Sequence, residues 1–267
     1  MTLAKRPLGQ TGIEVSCLGL GTVKFGRNQD VKYPTSFSLP EDRQIVALLD
    51  QASKLGINLL DTAPAYGSSE QRLGRLLRER DRWVISTKAG EEFNNGQSFF
   101  DFSARHIRHS IERSLRNIRT DYLDIVLIHS DGRDLHVIES TDCIATLQQL
   151  KQEGLIRAIG MSTKTVAGGI KAAELMDVVM VTYNPSAPAD GEIIDHACKL
   201  NKGVLIKKAL NSGHDCLEKY SSEHNLRYVF ARHGVSSAII GTINEAHLAA
   251  NVAAAEKASG DTHNLIT

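Results

Sequence analysis

The sequence predicts a (β/α)8 TIM barrel, with a short N-terminal β-hairpin before the first barrel strand. Three observations carry this. Eight short apolar runs alternate with amphipathic segments from about residue 15 onward. The 267 residues match the roughly 250 of one such barrel, so 1–267 is expected to form a single domain. The rival architecture, a doubly wound sheet, carries a glycine fingerprint after its first strand. Here Gly19-Leu-Gly-Thr-Val-Lys-Phe-Gly26 lacks the GxGxxG spacing.

The hairpin is expected from the turn Gly9–Gly12, set between Arg6-Pro-Leu8 and Ile13-Glu-Val15, and is placed at the barrel floor. The eight strand candidates are Val15–Gly21, Ile57–Thr62, Trp83–Lys88, Leu123–His129, Ile156–Ser162, Val178–Tyr183, Gly203–Lys208 and Ser237–Gly241. Most are rich in Val, Ile or Leu, as buried parallel strands are. The first helix candidate, Glu41–Leu55, opens with Ser-Leu-Pro-Glu at 38–41, a capping-box pattern with proline near the first turn, and stops at Gly56. Ser69–Arg80 follows. Ser103–Arg119 sets its charges against Ile107, Ile111, Leu115 and Ile118 at helical spacing, so its arginines form a solvated face. Thr141–Glu153, Val166–Met176, Gly191–Leu200, Leu226–His233 and Glu245–Ala258 complete the set. Gly154, Gly203 and Gly234 stand where helices turn back into strands. Two longer connections, Gly26–Pro40 with Tyr33 and Phe37, and Glu91–Phe102 with Phe93, Phe99 and Phe100, are candidates for lining an apolar substrate pocket.

Composition narrows the function classes. Apolar residues make up 42% and charged residues 23%, and the formal net charge is zero. A dedicated polyanion binder needs clustered Lys and Arg, so no nucleic-acid partner is expected. No apolar run reaches the ~18 residues of a membrane span, and no signal-peptide pattern opens the chain, so a cytoplasmic protein without a membrane partner is expected. Cys17, Cys143, Cys198 and Cys216 are far apart and show no metal-ligand spacing. No metal site is therefore expected, which counts against a metal-dependent barrel hydrolase. Oligomeric state cannot be read from the sequence.

Active sites of these barrels lie at the C-terminal strand ends. There the second run ends in Asp61-Thr-Ala-Pro-Ala-Tyr66-Gly, the third in Ser86-Thr-Lys88 and the fourth in Ile128-His129. Neighbouring strands are ~4.8 Å apart, so Asp61, Lys88 and His129 fall side by side, with Tyr66 on the loop above. A phenol has a pKa near 10 and is a poor acid at neutral pH. A lysine ammonium beside it favours the phenolate, and a carboxylate keeps that lysine charged. An imidazole can orient a carbonyl by hydrogen bonding. Taken singly, Asp61 could be a cap, Tyr66 a rim aromatic, Lys88 a structural cation and His129 a core histidine. Together they form a proton-transfer site for a carbonyl that receives a hydride.

At these residues the sequence resembles the aldo-keto reductase superfamily. The likeness covers nearly the whole chain: Leu18-Gly-Leu-Gly-Thr-Val23, Leu60-Asp-Thr-Ala-Pro-Ala-Tyr-Gly-Ser-Ser-Glu70, Ile85-Ser-Thr-Lys88, Asp121-Tyr-Leu-Asp-Ile-Val-Leu-Ile-His129, Ile156-Arg-Ala-Ile-Gly-Met-Ser162 and Ile240-Gly-Thr-Ile-Asn-Glu-Ala-His-Leu248 with Asn251. The resemblance implies a barrel that reduces small aldehydes and ketones with NADPH, or with NADH, or runs in reverse on alcohols. It makes Tyr66 the general acid, tuned by Lys88, which Asp61 holds, with His129 orienting the carbonyl. It places the cofactor against Gly21, Thr22, Ser162, Thr163, Lys207, Lys208, Gly241, Thr242, His247 and Asn251. Several positions depart from the family pattern. Thr163 replaces an asparagine, Met180 a glutamine, and Lys207 or Lys208 a stacking tyrosine. No Lys or Arg lies between Gly241 and Asn251 to take an adenosine 2′-phosphate, so the choice of NADPH over NADH stays open. Lys207 or Lys208 is either a pyrophosphate contact or a solvated rim charge. A noncatalytic cofactor-binding sensor on the same barrel is the alternative function.

Overall fold

A computed structural model describes residues 3–214 and 220–263. Cys216 lies outside the described residues; Cys17, Cys143 and Cys198 carry free thiols. The chain opens with an antiparallel hairpin, β1 (Lys5–Pro7) and β2 (Glu14–Ser16), in register Lys5↔Ser16. The barrel strands then follow: β3 (Leu18–Gly21), β4 (Leu59–Asp61), β5 (Val84–Ala89), β8 (Leu123–His129), β9 (Ile156–Ser162), β10 (Val178–Thr182), β11 (Gly203–Lys207) and β12 (Ser237–Ile240). Each pairs in parallel with its neighbour, and β12 pairs back on β3 through Ala238↔Leu18, so the eight-stranded barrel is closed. The two remaining strands, β6 (Glu91–Asn94) and β7 (Gln97–Phe100), form a second hairpin where the sequence suggested a loop.

The helices are α1 (Val23–Gly26), α2 (Asp42–Lys54), α3 (Ser69–Leu76), α4 (Ala104–Ile118), α5 (Asp134–Ser140), α6 (Cys143–Gln152), α7 (Val166–Leu175), α8 (Gly191–Lys199), α9 (Ser222–Phe230) and α10 (Glu245–His263). None is long and apolar enough to cross a membrane among the described residues. Their apolar faces and the outward strand residues share one core with Phe25, Leu60, Trp83 and Ile111. The barrel interior is a second cluster. Leu59, Ile125, Leu127, Ala158, Val178, Met180, Leu205 and Ile239 fill it from the strands, and Leu8, Ile13 and Val15 of the hairpin enter it. The hairpin therefore plugs the floor, as expected from the Gly9–Gly12 turn.

Several expected boundaries move, each for a local reason. The first apolar run is two strands, because Cys17 N donates to Ala4 O and the chain turns out of the hairpin there. The cap of α2 is Glu41 rather than Ser38: Glu41 N donates to Gln44 Oε1 at 2.8 Å. Helix α3 stops at Leu76, and Glu79 adopts a left-handed conformation (φ 54°) before a separate turn at Arg80–Arg82. Ser221 caps α9 by accepting from His224 N, which starts that helix four residues earlier than its apolar pattern suggested. Helix α5 was not foreseen. It begins at the buried Asp134, whose short run of seven residues carries too little periodicity to read.

Candidate active site

The open end of the barrel is a cleft of about 930 Å³ over the C-terminal strand ends. Asp61, Tyr66, Lys88 and His129 all line it. Asp61 ends β4 and Lys88 lies on the adjacent β5, both nearly inaccessible to solvent. Lys88 Nζ donates to Asp61 Oδ1 and Oδ2, each at 2.8 Å, and to Thr62 O at 2.8 Å. Ser86 Oγ donates a further bond to Asp61 Oδ1 at 3.1 Å. All three ammonium protons thus have acceptors. Burial pulls the Lys88 pKa down, but Asp61 and Tyr66 outweigh it, so the net displacement is upward and the ammonium stays charged.

Tyr66 closes a short turn, Pro64–Tyr66, and Lys88 Nζ sits 4.8 Å from its ring centre. The placement depends on two glycines. Gly67 has φ 61°, and a Cβ there would lie 2.2 Å from Gly26 O. A Cβ on Gly26 would lie 2.3 Å from Tyr66 O. Only glycine at both positions lets α1 and the tyrosine turn touch backbone to backbone. Burial pushes the Tyr66 phenol above its ordinary pKa, with Lys88 pulling in the opposite direction. Residue types alone predict a lowered phenol pKa; here desolvation exceeds the lysine effect.

His129 ends β8, its ring 6.4 Å from the Tyr66 ring and nearly perpendicular to it. Its Nδ1 is 2.8 Å from Glu91 Oε2, a partner that sequence reasoning missed. A carboxylate at that distance favours a proton on Nδ1. A neutral ring then offers Nε2 only as an acceptor, and only the imidazolium donates from Nε2. Burial lowers the His129 pKa, while Glu91 works to raise it. Burial pushes the Glu91 carboxyl up, but His129, Ser98 and Arg27 outweigh this and hold it at about 2. The available signal was position: Glu91 lies three residues past Lys88 on the same strand exit.

Gly21, Ser162, Thr163, Lys207, Lys208, Gly241, Thr242, His247 and Asn251 line the same cleft, with Gly21 paired beside Asp61 and Ser162 beside His129. Thr22 does not. Its N and Oγ1 both donate to the main-chain Asp61 O, at 2.9 and 3.0 Å, so it braces the backbone that carries the carboxylate. Lys207 is not a solvated rim charge either. Its Nζ donates to Ser162 Oγ at 2.8 Å and Thr163 O at 2.6 Å. Lys208 adopts a left-handed conformation (φ 55°), a turn that leaves both lysines on the cleft. Met180 is buried in the barrel interior and forms part of the cleft floor. Asp134 pins the strand exit beside it: its Oδ2 accepts from Lys164 N, Thr165 N and Thr165 Oγ1 at 2.9, 2.7 and 2.7 Å.

Of the two connections, the first contributes aromatic surface and the second does not. Tyr33 lines the cleft beneath Lys24 Nζ, 3.9 Å from its ring centre. Phe37 meets Tyr33 edge-on at 5.6 Å. In the β6–β7 hairpin, by contrast, Phe93 stacks under Arg27, Phe99 is exposed and Phe100 packs on Phe102. That hairpin presents Glu91 and Ser98 instead. The pocket is more polar on this side than the three phenylalanines suggested.

A nicotinamide dinucleotide carries polar amide, phosphate and ribose groups that need partners. Thr163 Oγ1 is buried and has no hydrogen-bond partner among the described residues, and Thr163 lines the cleft. With Ser162, Lys207, Lys208, Thr242 and Asn251 nearby, the donor and acceptor set fits such a group.

Comparison with known proteins is consistent with this geometry. The model of the aldo/keto reductase family matches residues 17–214. A solved Pseudomonas aeruginosa structure, provisionally assigned to the aldo-keto reductases, is 52% identical, with a TM-score of 0.89 and 96% of each chain covered. "Uncharacterized oxidoreductase YqkF" of Bacillus subtilis is 26% identical over 95% of this chain and 91% of its own length. The "NADH-specific methylglyoxal reductase" of Escherichia coli is 34% identical over 59% of this chain, and the match spans 51% of that relative.

Proposed function

Because the chain belongs to the aldo/keto reductase family, we propose that it reduces aldehydes and ketones to alcohols at the Asp61–Lys88–Tyr66–His129 site, reversibly, with NADPH or NADH. Family membership gives oxidoreductase chemistry on small carbonyl compounds. The assignment of roles rests above all on Lys88, a buried ammonium clamped by both oxygens of Asp61 and set 4.8 Å from the Tyr66 ring.

The bound cofactor would supply the hydride to the carbonyl carbon, with Ser162, Thr163, Lys207, Lys208, Gly241, Thr242, His247 and Asn251 holding it. Gly21 borders the same space; Thr22 braces the Asp61 backbone and accepts from Ser69 Oγ. Tyr66 gives its phenolic proton to the carbonyl oxygen, and Lys88 stabilises the phenolate left behind. Asp61 keeps the ammonium charged through that step. His129, held by Glu91 at Nδ1, faces the carbonyl oxygen with Nε2; burial outweighs Glu91 and lowers its pKa, so the imidazolium that donates there and aligns the carbonyl is the form favoured on the acid side. In the neutral ring the same nitrogen accepts, which suits alcohol oxidation.

General acid catalysis contributes about 10²- to 10⁴-fold. Tyr66→Phe is therefore expected to lose turnover of a nitrobenzaldehyde by that factor while still binding cofactor. Undiminished turnover would remove Tyr66 from the acid role. Fluorescence titration with NADPH and NADH, read from Trp83, measures the 2′-phosphate preference directly. Tight binding by the parent protein without turnover on any aldehyde or ketone would instead favour a cofactor-binding sensor.

A further inference from the structure

We propose that Lys207 is a second reactive group in this cleft, a neutral amine that captures aldehydes reversibly as a Schiff base. The contrast with Lys88 carries the argument. Lys88 spends three protons on a carboxylate and a carbonyl and is locked as an ammonium. Lys207 donates to two oxygens, Ser162 Oγ and Thr163 O, neither of them charged. Among the described residues it forms no ion pair with a carboxylate. Two donated bonds use both protons of a neutral amine and leave its lone pair free. The side chain lines the cleft that holds Tyr66 and His129, so the lone pair is reachable by whatever enters there.

The surroundings favour the neutral amine over the ammonium. Burial is the largest effect, followed by Lys208 at the end of the same strand. Lys164 beyond β9 and Lys88 on β5 add repulsion, and Asp190 ahead of α8 opposes them. His129 on β8 faces it as well. Together they bring the Lys207 pKa to about 7. An ordinary lysine near 10.4 has about a thousandfold less free amine at neutral pH. Lysines desolvated beside a second cation are activated in this manner.

The step balances without a further reagent. The Lys207 nitrogen forms a bond to the aldehyde carbon as the carbonyl π bond opens, and a proton passes from nitrogen to oxygen. One more proton from solvent then lets the oxygen leave as water, giving an iminium ion. Addition of water reverses it. Nothing is oxidised or reduced, so the adduct occupies the cleft and aldehydes inhibit their own reduction as pH rises through 7. The inference shares one premise with the proposed function, that aldehydes enter this cleft.

The test is reductive trapping. The full-length protein, without nicotinamide, is exposed briefly to limiting 4-nitrobenzaldehyde and sodium cyanoborohydride at neutral pH, digested and mapped by mass spectrometry. The expected label falls on the Lys207 peptide ahead of all other lysines, rises from pH 6 to 8, and is lost in Lys207→Arg and Lys207→Met. Wild-type protein labelled at the same rate on Lys207 and on surface lysines, or not at all on Lys207, overturns the proposal, whatever the variants do. Tyr66→Phe separates the two readings. A Tyr66→Phe protein that labels and does not reduce supports both; one that labels and reduces normally sinks the acid role and leaves the amine standing.

Discussion

Replacing Asp61 with Asn keeps the shape of the site and removes one charge. In the parent, the Lys88 and Asp61 side chains are 2% and 6% exposed, and the ammonium bonds both carboxylate oxygens at 2.8 Å. Removing one partner of a buried pair strands the other, at a cost of about 3–5 kcal/mol. The sign of the pH dependence follows from Lys88. In the parent its folded pKa is raised, so its contribution is present throughout the neutral range and fades only as pH climbs through that raised value. Without Asp61, burial dominates and the folded pKa drops below the unfolded value. The destabilisation is then largest below that depressed pKa, where the folded protein must carry a costly proton. It shrinks as pH rises toward about 10.4, where the unfolded chain also releases its proton. Urea unfolding followed by circular dichroism at pH 6 and pH 9 measures both terms. The loss relative to the parent at the same pH is expected to be large at pH 6 and to narrow at pH 9, over a parent whose own stability rises as Lys207 releases its proton. A loss below about 1 kcal/mol, or one equal at both pH values, would refute the buried-pair account.

Other perturbations follow from the same geometry. Glu91→Gln removes the group that raises the His129 pKa, so the acid-favoured limb of the reduction rate shifts to lower pH. A pH–rate profile that superimposes on the parent would leave Glu91 without a role. Asp134→Ala takes away an acceptor of three bonds at one oxygen, with an expected loss of about 2–4 kcal/mol and weaker cofactor binding through the loosened Lys164–Thr165 segment that follows Thr163. Thermal unfolding and fluorescence titration read the two effects. Gly67→Ala forces a Cβ to 2.2 Å from Gly26 O at φ 61°. A loss of about 1–3 kcal/mol is expected, with turnover falling further than binding because Tyr66 is displaced. Equal stability and turnover would mean the turn can shift without moving the phenol.

The barrel was legible because its signals are short-range and repeated. Runs such as Leu123–His129 and Ile156–Ser162 coincide with β8 and β9, since a strand buried on both faces has no alternation to confuse. Asp61, Lys88 and His129 could be placed because parallel pairing puts consecutive strand ends together. What the sequence did not disclose lies in tertiary partnerships. Glu91 meets His129 only because Glu91–Phe102 folds as a hairpin, and no local periodicity marks that hairpin strongly. Lys207 looks like a rim charge until β9 brings Ser162 and Thr163 under it. Thr22 carries the expected motif, yet its hydroxyl is already committed to Asp61 O. The sign of the Tyr66 displacement depends on the sum of burial and charge, which residue types alone cannot weigh.

The hairpin in the barrel floor also orders events in time. Arg6 donates to Val235 O and Ser236 Oγ donates to Pro7 O, contacts across 229 positions. Leu8 packs against Gly203. During synthesis this segment leaves the ribosome long before the strands that receive it exist. Leu8, Ile13 and Val15 then have no barrel interior to enter until β11 and β12 complete the ring. A segment made before the strands that receive it can dock only once they are in place, so its insertion reports that the barrel has closed.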